Sequence, residues 1–119
     1  MTEYVTHLDV KFSPLEVVDA ARLIEECRDA WYNQTLCEVN ESVVRLGVLQ
    51  GEYHWHTHEE DEFFFVLDGE LLVDLEGRTM TLAARQGLTV PRGVSHRPRA
   101  PARTIVLIVE RSGVVPTGN

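Results

Sequence analysis

Apolar residues between positions 13 and 31 recur at steps of three and four, and charged residues fill most of the remaining positions. This spacing is that of one face of an α-helix. The segment opens with Ser13, Pro14 and Glu16, which supply a capping side chain, a proline suited to the first helical position and the acid of a capping box. We therefore predict an amphipathic helix over about residues 13–30, whose core-facing stripe consists of Val17, Ala20, Ala21, Ile24, Cys27 and Trp31.

After about residue 36 the pattern becomes that of β-strands. Residues 43–50 and 104–109 are rich in β-branched and aliphatic side chains, and the second run is continuous enough to predict a strand covered on both faces. Residues 71–76 alternate with a period of two, while Asp68-Gly69, predicted to be a hairpin turn, Gly77 and residues 91–93 mark turns. We predict a mainly β, single-domain chain, with an N-terminal segment over residues 1–35 and a barrel over residues 36–119.

Composition narrows the class of partner. The chain has 119 residues, enough for one domain, and a formal charge of -8 from 19 acidic and 11 basic residues. We expect no binding to nucleic acid or to anionic membrane surfaces, because both require basic patches. No signal peptide and no apolar run of 18 residues is evident, and two cysteines make a poor disulfide framework. A cytoplasmic location is the expectation.

One short stretch carries the candidate chemistry. His54, His56 and His58 occupy every second position, and four consecutive acids follow them at residues 59–62. Alternate residues of a strand point to the same face, with Cβ atoms roughly 6.5–7 Å apart, so two imidazoles can converge on one metal ion. An acid four residues after the second histidine can join them, which leaves two registers open, ending at Glu60 or at Glu62. His96 is the only downstream histidine that can complete either set.

Two spaced motifs resemble those of the cupin superfamily. The first runs from Gly51 through His-x-His at residues 56–58 and Glu62 to Gly69, and the second is Pro-x-Gly-x₂-His at residues 91–96. The stretch "WHTHEEDEFFFVLDGEL" is similar to the core of small single-domain cupins. Two departures are a spacing of four residues between Gly51 and His56, where five is usual, and Ala100 in place of the usual asparagine.

This resemblance implies a double-stranded β-helix, or jelly roll, with a metal ion inside one end. It selects the second register, and it implies that His56, His58, Glu62 and His96 are the metal ligands. One divalent transition metal ion is implied, and three imidazoles with one carboxylate suit Fe, Mn, Ni, Cu or Zn. Phe64 and Val66 would share the face of Glu62 and line the pocket.

The functional expectation has two forms. The family includes dioxygenases, isomerases and decarboxylases, so the first form is a metalloenzyme acting on a small organic molecule, with no catalytic residue assigned. The second is a non-catalytic metal- or small-ligand-binding module. His54 is expected to line the pocket, to lie at the surface or to orient a ligand, and Arg97 and Arg99 to bind an anion or to pair with acids. Small cupins commonly dimerise, so a homodimer is expected.

Overall fold

The computed structural model describes residues 4–118. Its sheet-forming segments begin much nearer the N-terminus than the sequence pattern indicated, with a first strand before the helix. In chain order the elements are β1 (Tyr4–His7), α1 (Ala20–Glu26), β2 (Trp31–Val39), β3 (Ser42–Glu52), β4 (Glu62–Asp68), β5 (Glu70–Leu75), β6 (Arg78–Ala83), β7 (Gly87–Val90) and β8 (His96–Arg111).

The long strand β8 organises the sheet. Its second half pairs antiparallel with β3 on one side and β4 on the other, and its first half pairs with β5 and the end of β3. The main path of the sheet is β1-β2-β3-β8-β4-β7, and β5 joins β6 to β8 as a side branch. Register shifts in β3 and β4 bend the sheet, since a bulge makes one strand longer than its partner. The result is a barrel-like β fold.

Two apolar clusters lie on opposite faces of this sheet. The inner cluster includes Val106 and Ile108 of β8, and the outer cluster includes Ile105 with the partly buried Leu107. Successive side chains of a strand point to opposite faces, so β8 serves both clusters at once. The prediction of a strand covered on both faces is confirmed.

The predicted helix over residues 13–30 is wrong in extent, because α1 covers only Ala20–Glu26. The capping-box contact does form, since the Ser13 backbone N–H donates to Glu16 Oε1 over 2.8 Å. Leu15, however, has a φ of 69°, and this left-handed conformation does not continue into a right-handed helix. The contact therefore closes one isolated turn, and the helix starts later, where the Asp19 side chain accepts a hydrogen bond from the Ala21 N–H.

The short helix packs on the outer face of the sheet. Leu23, Ile24 and the buried Cys27 contact the outer cluster, which also contains Leu36 and Leu46. The end of the predicted stripe departs from the helix, because Trp31 begins β2 and is buried in the inner cluster. Within residues 4–118 no helix is long and apolar enough to cross a membrane.

Gly69 does not form the predicted hairpin turn. Strands β4 and β5 both run antiparallel to β8, so Gly69 joins two consecutive strands along the same partner. The two-residue hairpin lies at Glu76-Gly77, where Leu75 pairs with Arg78. Gly69 has a φ of 93°, and a Cβ there would lie 2.5 Å from Thr104 Oγ1. Glycine is required at this position by backbone conformation and by the close approach of β8.

We expect Gly69→Ala to destabilise the protein by more than about 1 kcal/mol, because alanine meets both an unfavourable φ and a steric clash. Gly77→Ala is the matched control, since Gly77 also has a positive φ of 83° but has no atom within 4 Å of an added Cβ. Urea denaturation of both variants measures the two free energies of unfolding. Equal losses in the two variants would show that the contact with Thr104 contributes nothing.

Candidate metal centre

The four predicted ligands come from three separate segments of the chain. His56 and His58 lie in the connection between β3 and β4, Glu62 is the first residue of β4, and His96 is the first residue of β8. His56 and His96 form an isolated antiparallel bridge, in which each backbone N–H donates to the other's carbonyl over 3.0 Å. The Gly93 N–H donates to the His58 carbonyl over 2.9 Å. Backbone hydrogen bonds thus clamp the His-x-His segment against the Pro91–His96 turn.

The structure brings one donor atom of each of these four side chains within 4.8 Å of the others. Glu62 Oε1 lies 3.1 Å from His96 Nε2 and 3.5 Å from His58 Nε2. With metal–ligand bonds of ~2.1 Å, adjacent donors of one ion lie ~3 Å apart and opposite donors ~4.2 Å apart. The observed spacing fits a single transition metal ion, and no other group of three or more potential ligands is found among residues 4–118.

Second hydrogen bonds orient two of the imidazoles. His56 Nδ1 lies 3.0 Å from the His54 carbonyl oxygen, and His96 Nδ1 lies 2.9 Å from the Val94 carbonyl oxygen. A carbonyl only accepts, so each Nδ1 carries the proton and each Nε2 is left for the metal. This arrangement is usual for histidine ligands, because the outer hydrogen bond fixes both the ring orientation and the tautomer.

The charges of the cluster suit a cation. Burial lowers the pKa of His56 to about 4, which keeps this imidazole neutral. Burial alone would raise the pKa of Glu62, but the hydrogen bond from His96 and the charge of His58 outweigh it, so the pKa of Glu62 is lowered. Burial opposes protonation of His96, yet its contact with Glu62 raises its pKa. A metal ion therefore competes with a proton at His96.

A buried arginine and a buried carboxyl group, hydrogen-bonded to each other, lie behind Glu62. Arg45 of β3 donates through Nη1 to Glu110 Oε1 over 2.6 Å, and Glu110 is directly opposite Glu62 in the sheet, so that their carboxyl groups interact. Burial, followed by repulsion from Glu62, raises the pKa of Glu110 to about 9 against the opposing effect of Arg45. The sequence analysis did not identify either residue. The only local signals are an arginine inside the apolar run at residues 43–50 and an acid at the end of the run at residues 104–109.

A narrow cavity opens beside the cluster and reaches His56 and Glu62. Its empty space is about 440 Å³ including the open mouth, while the centre of a water molecule can occupy about 40 Å³. The second value is the one to compare with known ligand pockets, and it leaves room for only a few atoms beyond a metal ion. Aromatic rings not assigned to the site from sequence wall the cavity together with Phe64, namely those of Tyr4, Trp31, Tyr32 and Tyr53.

Of the three residues predicted to line the pocket, Phe64 does so, whereas Val66 and His54 do not. Phe64 lines the cavity, and its ring centroid lies 6.2 Å from that of His96. Val66 does not line it, because the side chain is fully buried farther along the inner cluster. His54 is exposed and lies outside the lining, where its Nε2 lies 2.7 Å from the Thr117 carbonyl and its ring stacks on Tyr53 at 4.5 Å.

The neighbouring charged residues have structural partners. Arg99 donates to both oxygens of the buried Asp74, through Nε over 2.6 Å and Nη2 over 2.9 Å, and Arg97 Nη2 lies 2.9 Å from the same carboxylate. The hydrogen bond from Arg99 is the main reason that the pKa of Asp74 is far below its usual range. In the acidic run, Asp61 Oδ1 accepts from the Arg92 N–H over 3.0 Å. Arg97 and Arg99 are paired with an acid, which is one of the two alternatives predicted for them.

We expect the stabilisation on adding metal to increase with pH and bound metal to be lost below about pH 6, because histidine binds metal only as a neutral imidazole. His96, with its raised pKa, takes up a proton at higher pH than His56. In the metal-free protein the two histidines act in opposite directions. The raised pKa of His96 stabilises the folded state at low pH and this stabilisation is lost as the pH rises, whereas the lowered pKa of His56 destabilises the folded state below about pH 6.5. Thermal unfolding from pH 5 to pH 8, with and without Zn²⁺ or Mn²⁺, measures both trends. A metal-induced shift that is independent of pH would contradict the assignment.

Comparison with known proteins agrees with this geometry. Residues 42–110 match the family profile of the cupin domain. The uncharacterized protein YdbB of Bacillus subtilis is 43% identical over 90 residues, which cover 74% of this chain and 80% of that protein. The bovine enzyme 3-hydroxyanthranilate 3,4-dioxygenase is 29% identical over 83 residues, which cover 66% of this chain but only 29% of that enzyme.

The fold comparison gives the same result. The crystal structure of a cupin-2 domain protein from Shewanella frigidimarina superposes with a TM-score of 0.75 and 28% identity, covering 80% of this chain and 94% of that chain. Because the family profile spans more than half of the sequence and the ligand cluster lies where two strand ends meet, the conclusion is that this chain is a small single-domain member of the cupin superfamily.

Proposed function

We propose that this protein binds one divalent transition metal ion through His56, His58, Glu62 and His96 and is an enzyme acting on a small organic molecule. The observation that carries the proposal is the cavity that opens directly beside two of these ligands. A closed structural metal site would need no such opening. The bound ion would act as a Lewis acid or lower the pKa of a bound water molecule.

The cavity wall supports a particular class of ligand. None of its lining residues within residues 4–118 is a lysine or an arginine, and the nearby Arg97 and Arg99 are held by Asp74. A multiply charged anion such as a phosphate ester would enter without a cationic side chain to receive it, which is costly in a partly buried site. Aromatic rings at Tyr4, Trp31 and Tyr53 favour a flat molecule. We propose a flat, neutral or singly charged ligand with an oxygen that faces the metal.

Two buried polar atoms at the cavity are candidate hydrogen-bonding partners for a bound ligand. Trp31 Nε1 and Asn33 Oδ1 are buried without a hydrogen-bond partner among the described residues, and both side chains border the cavity. Buried polar groups in folded proteins are nearly always paired, so each of these atoms is a candidate contact for a bound molecule. One is a donor and the other an acceptor, so a ligand that carries both functions would satisfy them.

The candidate reaction types can be ranked. Dioxygenase, isomerase and decarboxylase chemistry are the three candidates, and the similarity to the bovine dioxygenase supports oxygenase chemistry first. This chain spans about 29% of that enzyme, so the likeness gives only an order of testing. The second candidate function is a non-catalytic binding module. The space of about 40 Å³ open to the centre of a water molecule favours it, because such a cavity admits little beyond the ion and a few atoms.

The test begins with metal content. Wild type reconstituted with Fe²⁺ under nitrogen should contain one ion per chain, and His58→Ala should contain none, because it removes a buried ligand. His54→Ala is the matched control, since it removes an imidazole of the same segment that lies outside the cluster and should leave the metal in place. Elemental analysis measures all three proteins. Equal metal in His58→Ala and wild type would contradict the site.

The same samples then test the ligand and the reaction. Phenol, benzoate and phenyl phosphate share one ring and differ in charge, so calorimetry should detect the first two and find the third at least about 10-fold weaker. Substituted phenols and catechols are next assayed for oxygen uptake and for products by mass spectrometry. Binding without turnover of any compound would favour the binding module, and tightest binding of phenyl phosphate would contradict the ligand class.

We also propose that the protein is a cytoplasmic homodimer. The free thiols of Cys27 and Cys37 agree with a reducing compartment. Large apolar side chains of the segment before α1, including Leu15 and Val17, are exposed, and a second subunit would cover such a surface. Light scattering of the purified protein should give about twice the chain mass of 13.5 kDa. A monomeric mass at micromolar concentration would contradict the dimer.

A further inference from the structure

Three buried charged side chains form a row across neighbouring strands of the barrel. Glu62 of β4 is directly opposite Glu110 of β8, and Ile108 of β8 is directly opposite Arg45 of β3. Directly opposite residues and residues two apart share a face of the sheet. Arg45, Glu110 and Glu62 therefore point to the same side as Ile108, which borders the cavity.

The row is continuous in side-chain contacts. Arg45 donates through Nη1 to Glu110 Oε1 over 2.6 Å, Glu110 is directly opposite Glu62 in the sheet, and Glu62 Oε1 faces the imidazoles of His58 and His96. The three side chains are 3–4% exposed. Within residues 4–118, Glu110 Oε2 has no N–H or hydroxyl donor. Glu110 therefore accepts from Arg45 with one oxygen, while its carboxyl group lies beside that of Glu62.

Stability alone gives a poor reason for this arrangement. Burying an arginine and a carboxyl group costs more in lost hydration than the pair commonly returns, and apolar side chains of similar volume are often as stable or more so. The surrounding inner cluster is apolar and would accept such side chains. The row ends at the only carboxylate of the metal centre, which suggests what the charged residues do.

We propose that Glu110, held in place by Arg45, is a positioning residue that fixes the Glu62 carboxylate so that Oε1 is directed at the metal. This role rests on the proposed metal centre. By lying against the Glu62 carboxylate from behind, Glu110 restricts its rotation and keeps Oε1 directed toward the histidines and the ion. Removing a residue that holds a metal ligand in place from outside typically lowers metal affinity by about 10–100-fold.

The decisive comparison is between Glu110→Gln and the double variant Arg45→Met/Glu110→Met. The glutamine can accept from Arg45 with its amide oxygen and donate to Glu62 with its amide nitrogen, so Mn²⁺ affinity should stay within about threefold of wild type. The double variant removes both contacts without leaving an unpaired buried charge, and its affinity should fall by about 10–100-fold. Competition with a chromogenic chelator measures affinity, and the absorption spectrum of the Co²⁺ form reports the ligand geometry.

Two further variants guard against an effect of stability alone. Glu110→Asp keeps the acid but is one methylene shorter, so it cannot hold both contacts and should also weaken metal binding. This variant provides the test if the double variant fails to fold. Gly69→Ala should lower the stability of the protein, but the substitution lies beyond the far end of β4, roughly 23 Å along the strand from Glu62. This variant should therefore bind metal as wild type does.

The outcomes separate the two proposals. A wild-type protein that binds no metal overturns the metal centre and, with it, the role of Glu110. Normal wild-type binding together with unchanged affinity and an unchanged Co²⁺ spectrum in the double variant or in Glu110→Asp overturns the positioning role and leaves the metal centre standing. If Glu110→Gln binds metal as weakly as the double variant, the positioning role is also overturned. The glutamine would then keep both contacts, to Arg45 and to Glu62, without keeping the metal affinity. Recovery in Glu110→Gln alone supports it.

Discussion

The curvature of β8 is the constraint on which the rest of the structure depends. His96 is the first residue of this strand and Glu110 lies next to its last, and both contact the same side chain, Glu62. Fourteen residues of straight strand span ~46 Å, so a straight β8 would carry the two residues far apart. Only a strand that curls around the barrel can bring its two ends to one carboxylate. The metal centre and the row of buried charges behind it are therefore consequences of barrel closure.

The bend is produced by backbone irregularities at recognisable positions. Between the pairs Leu49–Thr104 and Gly51–Ala100, three residues of β8 face one residue of β3, which is a bulge. At the same level β4 gives way to β5 through Gly69, whose missing Cβ lets the backbone approach Thr104. Thr104 is fully buried, and its hydroxyl bonds to both the N–H and the carbonyl of Glu70. Gly69, the last residue of the first cupin-like motif, thus forms the corner of the barrel.

The sequence predicted the features that depend on short stretches of chain. The four candidate metal ligands lie in two short motifs, so the register that ends at Glu62 could be chosen from the family resemblance. The structure brings these four side chains together. The helix prediction failed because the contact between Ser13 and Glu16 forms in an isolated turn as well as in a helix, and the conformation of Leu15 decides between them. Arg45 and Glu110 are 65 residues apart, and no local pattern reports a contact at that separation. Only barrel closure pairs them.

The distribution of charge around the site limits what can react there. The buried row of Arg45, Glu110 and Glu62 and the aromatic cavity without lysine or arginine both adjoin the candidate metal centre. With one carboxylate among four ligands, a divalent ion keeps a net positive charge. On the proposed function, that excess would be the only positive charge which an incoming molecule meets among the described residues of the cavity lining, and it would offset one negative charge of a bound ligand. The same arrangement would then select against multiply charged ligands.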